Sequence, residues 1–116
     1  MKTNIAIIGA ALLMLGAQGS PADEISPEAQ SAAQHAAVTT CATCHGPQGR
    51  SVVPKFPTLA GQHRAYLAAQ LKAFKGGDRG ADKEGRDPQG RIMWAVAQKM
   101  SDEQMKAVAD YTAGLR

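Results

Sequence analysis

Two thiols and an imidazole stand within five residues of one another, in the segment 41–45 with the sequence CATCH. Cysteines three positions apart can form a redox dithiol, bind zinc, or each form a thioether with a vinyl group of a haem. A dithiol of the thioredoxin type accompanies a βαβ pattern, which this sequence lacks. A structural zinc site needs four ligands, and neither His35 nor His63 has a spacing that pairs with these cysteines.

The remaining chemistry of this segment is the covalent attachment of one haem c. Cys41 and Cys44 lie one helical turn apart, so both sulfurs can meet one edge of a porphyrin. His45 follows at once and can bind the iron from the same side. The motif therefore predicts two thioether bonds and one axial ligand, in a chain exported to an oxidising compartment.

A haem iron held by one histidine has a sixth position, which a methionine would close in favour of electron transfer. The candidates after the motif are Met93, Met100, Met105, His63 and the lysines. Met100 and Met105 take the positions of a hydrophobic staple at a helix start, and His63 begins a polar helix face. Met93 follows a long glycine-rich loop that could cross the haem, although a methionine beside Trp94 is often a core residue.

The elements that must position these residues are helices. Ser26 and Pro27 have the types expected at the N-cap and the first helical position, and Ser101 with Gln104 forms a capping box. Apolar periodicity and glycine or proline punctuation place the boundaries. The predicted helices are 27–40, 62–75, 92–99 and 101–115, and the predicted loops are 45–60 and 76–91. No strand pattern stands out, so the fold class is all-α.

The N-terminal segment 1–22 has the pattern of a secretory signal peptide. A positive Lys2 precedes an apolar run from Ile5 to Leu15, and small residues allow cleavage after Gly19 or Ala22. The alternative is an uncleaved anchor, but the run is shorter than the roughly 20 residues of a membrane span. We therefore expect a periplasmic domain at 23–116 with no membrane span in its mature form.

The composition suits one small domain that depends on a cofactor. The chain has 116 residues with only two Phe, two Tyr and one Trp, so a haem could supply much of the apolar core. Its net charge is +3, but the basic residues are scattered and are not interleaved with aromatic residues. Nucleic acid is therefore not an expected partner.

Three separated segments resemble the class I c-type cytochromes, and most closely a single lobe of the bacterial tandem diheme cytochromes c. The segments are CATCHGPQGR at 41–50, FPTLAGQHRAYLAAQLKAFKGGDR at 56–79 and IMWAVAQKMSDEQMKAVADYTAGL at 92–115. The resemblance covers residues 36–115. It implies the small class I cytochrome c fold, with three to five helices wrapped around one haem.

The resemblance also implies a role for each site residue. Cys41 and Cys44 correspond to the thioether anchors, and His45 corresponds to the proximal iron ligand. Pro57 corresponds to the proline whose carbonyl accepts a hydrogen bond from the imidazole Nδ1–H, which fixes the ring. Met93 corresponds to the distal iron ligand.

Two features of the helices that cross near the haem motif bear on this resemblance. Tyr111 corresponds to the aromatic residue of the last helix, which packs on the first helix. The first helix of the family carries a glycine at that crossing, whereas Ala33 and Gln34 occupy the corresponding positions here.

The function implied is that of a monohaem c-type cytochrome, which carries single electrons between periplasmic redox partners and is not an enzyme. Its partners would be transient redox proteins, and the chain would be a monomer or a weak dimer. Two alternatives stay open. The chain could be a haem c subunit of a dehydrogenase or oxidase complex, or a gas-binding haem protein with an open iron site.

Overall fold

The computed structural model describes residues 24–81 and 87–116, so the predicted signal segment 1–22 lies outside it. Within that part all regular structure is helical, which confirms the all-α prediction. A π-helical turn (Ala37–Cys41) joins the first two α-helices, and a 3₁₀ turn (Pro47–Gly49) follows the second. The α-helices are α1 (Pro27–Ala36), α2 (Ala42–His45), α3 (Arg64–Gly76), α4 (Pro88–Gln98) and α5 (Asp102–Ala113).

Side-chain caps begin α1 and α5 where the sequence predicted them. The Ser26 hydroxyl accepts a hydrogen bond from the Ala29 backbone N–H at 3.2 Å. At α5, the Ser101 hydroxyl accepts from the Gln104 N–H at 3.1 Å, and the Gln104 side chain accepts from the Ser101 N–H at 2.8 Å. Both interactions satisfy backbone donors that a helix start otherwise leaves unpaired.

The predicted loop over 76–91 is wrong at its C-terminal end, because α4 begins at Pro88 rather than at Ile92. The Asp87 carboxylate accepts a hydrogen bond from the Gly90 N–H at 2.8 Å and so caps the helix. Asp followed by Pro is a helix-start signal that the high glycine content of this stretch obscured. The predicted end of α3 is confirmed, since Gly77 adopts the left-handed conformation with φ 83°.

Small side chains line the packed helices. Helix α5 packs on α1 and on α3, and α4 packs on α3. Ala33, Ala107 and Ala109 are 3%, 2% and 2% exposed. Ala33 stands at the crossing where the resemblance led us to expect a glycine, so an alanine there is compatible with close packing. Tyr111 is half-buried on α5.

A charged hydrogen bond ties the start of α1 to the start of α5. The Ser26 backbone N–H donates to the Glu103 carboxylate at 3.0 Å. That hydrogen bond lowers the pKa of the Glu103 carboxyl, because it favours the ionised form. The folded pKa therefore lies below the unfolded value of about 4.3, so the contribution to stability is present above that value and is lost as pH falls through the folded pKa.

We expect Glu103→Gln to lower the melting temperature at pH 7, with the difference from wild type disappearing toward pH 3. Thermal unfolding followed by circular dichroism at a series of pH values measures this difference. Asp102→Asn is the matched control, because it removes a neighbouring charge from the same first turn of α5. Equal losses in the two variants would show that the helix dipole, rather than the bond to Ser26, is responsible.

Candidate functional site

His45 is a buried imidazole whose orientation is fixed by one hydrogen bond. It ends α2 and is 6% exposed. Its Nδ1 lies 2.7 Å from the carbonyl oxygen of Pro57. A carbonyl oxygen can only accept, so Nδ1 carries the proton and donates, and the neutral ring keeps a lone pair on Nε2. The ring is therefore prepared to bind a metal through Nε2.

Two glycines after His45 bring Pro57 back to it. Gly46 has φ 81°, and a Cβ atom there would lie 2.0 Å from the Arg50 carbonyl oxygen. The chain can therefore reverse sharply only with glycine at this position. The carbonyl of Gly49 then accepts hydrogen bonds from the N–H groups of Leu59 and Ala60, at 2.8 and 3.1 Å. These bonds hold the segment that contains Pro57 against the turn after α2.

The two thiols lie on consecutive turns of helical backbone just before His45. Both are half-buried and unpaired by a disulfide. Burial raises the pKa of the Cys41 thiol, whereas redox-active dithiols depend on a lowered pKa. In residues 24–81 and 87–116, no group of three or more His, Cys, Asp or Glu could hold a metal ion. The dithiol and zinc interpretations therefore gain no support from the structure.

A single cavity of about 490 Å³ brings the predicted site residues together. Its lining includes Cys41, Cys44, His45, Pro57 and Met93. The volume lies within the range of about 300–1,000 Å³ that is typical of small-molecule and cofactor sites.

The wall of this cavity is largely apolar, with side chains from three helices. These are Leu67, Leu71 and Phe74 of α3, Val96 of α4 and Val108 of α5. Two thiols and one oriented imidazole suit the covalent attachment and proximal ligation of a haem, and a methionine thioether in the same apolar cavity suits a sixth ligand. The residues present therefore fit haem c.

The other sixth-ligand candidates divide between the core, the surface and the cavity. Met105 is 1% exposed and lies outside the cavity lining. His63 is exposed, as the sequence predicted. Met100, which the sequence assigned to packing at the start of α5, also lines the cavity. It follows the end of α4, and no local sequence signal places its side chain in the cavity.

Sequence reasoning also missed two cationic side chains in the cavity lining, Lys55 and Arg79. The Arg79 guanidinium lies 4.5 Å from the centre of the Phe74 ring, and it donates to the Gln70 side-chain oxygen at 2.5 Å. Positive charge here could offset the charge of haem propionates. For Arg79, the available sequence signal was its position two residues after the Gly76-Gly77 pair that ends α3.

Comparison with known proteins finds one matching family model and several similar proteins. The family model described as Cytochrome c matches residues 29–115. Cytochrome c-552 of Acidithiobacillus ferridurans is 38% identical over 107 residues, which are 90% of this chain and 43% of that protein. The thiosulfate dehydrogenase electron acceptor of Stutzerimonas stutzeri is 41% identical over 78 residues, 67% of this chain and 33% of that protein.

A solved structure is similar over much of the chain. The crystal structure of reduced recombinant cytochrome c4 from Pseudomonas stutzeri superposes with a TM-score of 0.61 and 30% identity. The match covers 79% of this chain and 50% of that one. The chain thus spans half or less of the length of these three relatives.

We expect Gly46→Ala to lower the yield of haem-loaded protein and to destabilise the fold by about 3 kcal/mol or more, because its Cβ meets backbone atoms. Gly61→Ala is the matched control, since Gly61 also has positive φ, 77°, but its Cβ would meet nothing within 4 Å. The control should lose only about 1–2 kcal/mol. Urea unfolding of both variants measures the difference, and equal losses would contradict the steric explanation.

Proposed function

The chain belongs to the cytochrome c family, and from that premise we propose that it carries single electrons between redox proteins outside the cytoplasm. Family membership and the CATCH motif assign it one covalently attached haem c. The likeness to cytochrome c4 confirms the predicted fold, a small all-α class I cytochrome. In this role the protein transfers electrons and does not act as an enzyme.

The observation that carries this proposal is the pairing of an oriented imidazole with a thioether in one cavity. His45 is held by Pro57 at 2.7 Å, and Met93 lines the same cavity as both cysteines. His45 and Met93 would together hold the iron of a haem from two sides, and a methionine ligand would raise its potential. A filled sixth position favours electron transfer over the binding of gases, which is why the open-site alternative is the weaker one.

When bound, the haem supplies an iron that gains and loses one electron. The chain's own residues hold that group and set its surroundings. Cys41 and Cys44 would anchor it, and Pro57 would keep the His45 ring in one orientation and raise its basicity. The apolar side chains of α3, α4 and α5 that line the cavity would surround the bound group and shield it from water.

We place this electron transfer in the periplasm. Support comes from the signal-peptide pattern at 1–22. In the described part of the chain, no helix has both the length and the apolar character to cross a membrane. The partners would be transient redox proteins, which use small interfaces.

A second candidate function is that of an electron-accepting subunit bound to a dehydrogenase. It is favoured by the relative named as a thiosulfate dehydrogenase electron acceptor. Gel filtration of a native periplasmic extract, with haem staining of the fractions, distinguishes the two functions. A free carrier elutes at the size of one small domain, whereas a subunit elutes with a larger complex.

We expect Met93→Leu to remove the near-infrared ferric band that marks methionine ligation and to make the ferrous protein bind CO readily. Both thioether bonds should remain, because Met93 lies on a different segment from the cysteines. Absorption spectra of the purified holoprotein, with and without CO, measure both effects.

Met100→Leu is the matched control, because Met100 lines the same cavity. It should keep the near-infrared band and exclude CO. Loss of the band in Met100→Leu alone would assign the ligand to Met100. Absence of the band from the wild type would contradict the electron-carrier proposal.

A further inference from the structure

Helix α4, which carries Met93, is held at both ends by the C-terminal end of α3 and the turn that follows it. We propose that Lys75 and Gln98 are positioning residues that hold α4, and with it Met93, against the haem cavity. This inference rests on the proposed function, because it takes Met93 as the sixth iron ligand. It assigns a role to two polar side chains that neither line the cavity nor belong to the haem motif.

Two hydrogen bonds join the ends of α3 and α4 in opposite directions. The Lys75 ammonium donates to the backbone carbonyl of Met100, just after α4 ends. The Gln98 side-chain amide donates to the backbone carbonyl of Lys75 at 2.8 Å. Each residue thus ties the backbone of the other helix end, and Lys75 takes part in both bonds.

The N-terminal end of α4 is fixed by close backbone contact. A Cβ atom on Gly80 would lie 2.1 Å from the Gly90 carbonyl oxygen and 3.0 Å from the Phe74 ring. Gly80 is buried and has φ 76°, so the turn after α3 lies directly against the first turn of α4. Gly90 is also crowded by its cap, since a Cβ there would lie 2.0 Å from the Asp87 carboxylate.

Met93 lies between these two fixed ends, near the middle of the helix. Movement of α4 away from the cavity would withdraw Met93 from an iron, and that movement would break the bonds of Lys75 or the contact at Gly80. The bond from Lys75 has a charged donor and is partly buried, which makes it stronger than an ordinary surface bond. The arrangement therefore lowers the population of states in which the sixth position is open.

The population of open states can be measured with an external ligand. Imidazole binds only where the sixth position is vacated, so its apparent affinity rises in proportion to the open fraction. Removing one charge-assisted hydrogen bond should increase that fraction about tenfold. We expect Lys75→Leu in the ferric holoprotein to bind imidazole about tenfold more tightly than the wild type does.

Lys72→Leu is the matched control, since Lys72 is an exposed residue one turn earlier on α3 and its loss removes the same charge. It should bind imidazole as the wild type does. Lys75→Arg keeps a charged donor and should restore most of the wild-type behaviour. Gln98→Leu removes the reciprocal bond and should increase the affinity for imidazole in the same direction.

Spectra and unfolding curves keep the outcomes separate. The near-infrared band must be present in wild type and in Lys75→Leu before imidazole is added. Absence of the band from wild type would contradict the proposed function rather than the positioning role. With the band present, equal imidazole affinities in Lys75→Leu and Lys72→Leu would overturn the positioning role. Tighter imidazole binding by Lys75→Leu, with recovery in Lys75→Arg, would support the positioning role. The measurement is made in buffer in which urea unfolding curves show that the variant is fully folded.

Discussion

The hydrogen bond from His45 Nδ1–H to the Pro57 carbonyl is the interaction on which the site depends. It selects one tautomer of a buried ring and so decides that Nε2 is the nitrogen left for a metal. It also dictates the course of the chain between these residues. Gly46 reverses the direction of the chain, and the carbonyl of Gly49 accepts hydrogen bonds from the segment that follows Pro57. The twelve residues 46–57, which contain the 3₁₀ turn Pro47–Gly49 but no α-helix, thus run from His45 to its hydrogen-bond partner.

The helices pack through small side chains and leave a large apolar cavity between them. Ala33, Ala107 and Ala109 allow close approach, while Leu67 and Phe74 border the cavity. A domain of this size gains little from so limited a core and benefits from a covalently attached group that fills it. The cofactor is therefore as much a part of the core as of the chemistry.

Features with local signals could be predicted from the sequence. The CATCH segment, the cap at Ser26 and the capping box at Ser101 each lie within a few residues and have a direct physical meaning. The predicted start of α4 at Ile92 was wrong, because the glycines nearby outweighed the helix-start signal of Asp87 and Pro88. The bond of Lys75 to Met100 joins residues 25 positions apart, and no local pattern predicts such a contact.

The two sides of the proposed iron site are built in different ways. The proximal side comes from one continuous stretch, in which the cysteines, His45 and Pro57 lie within 17 residues. The distal side comes from α4, whose place depends on contacts with the end of α3. Covalent attachment and proximal ligation therefore depend on local folding, whereas distal ligation depends on tertiary contacts. Because axial ligation affects the potential, substitutions around Lys75 and Gly80 can alter it without touching the residues that hold the haem.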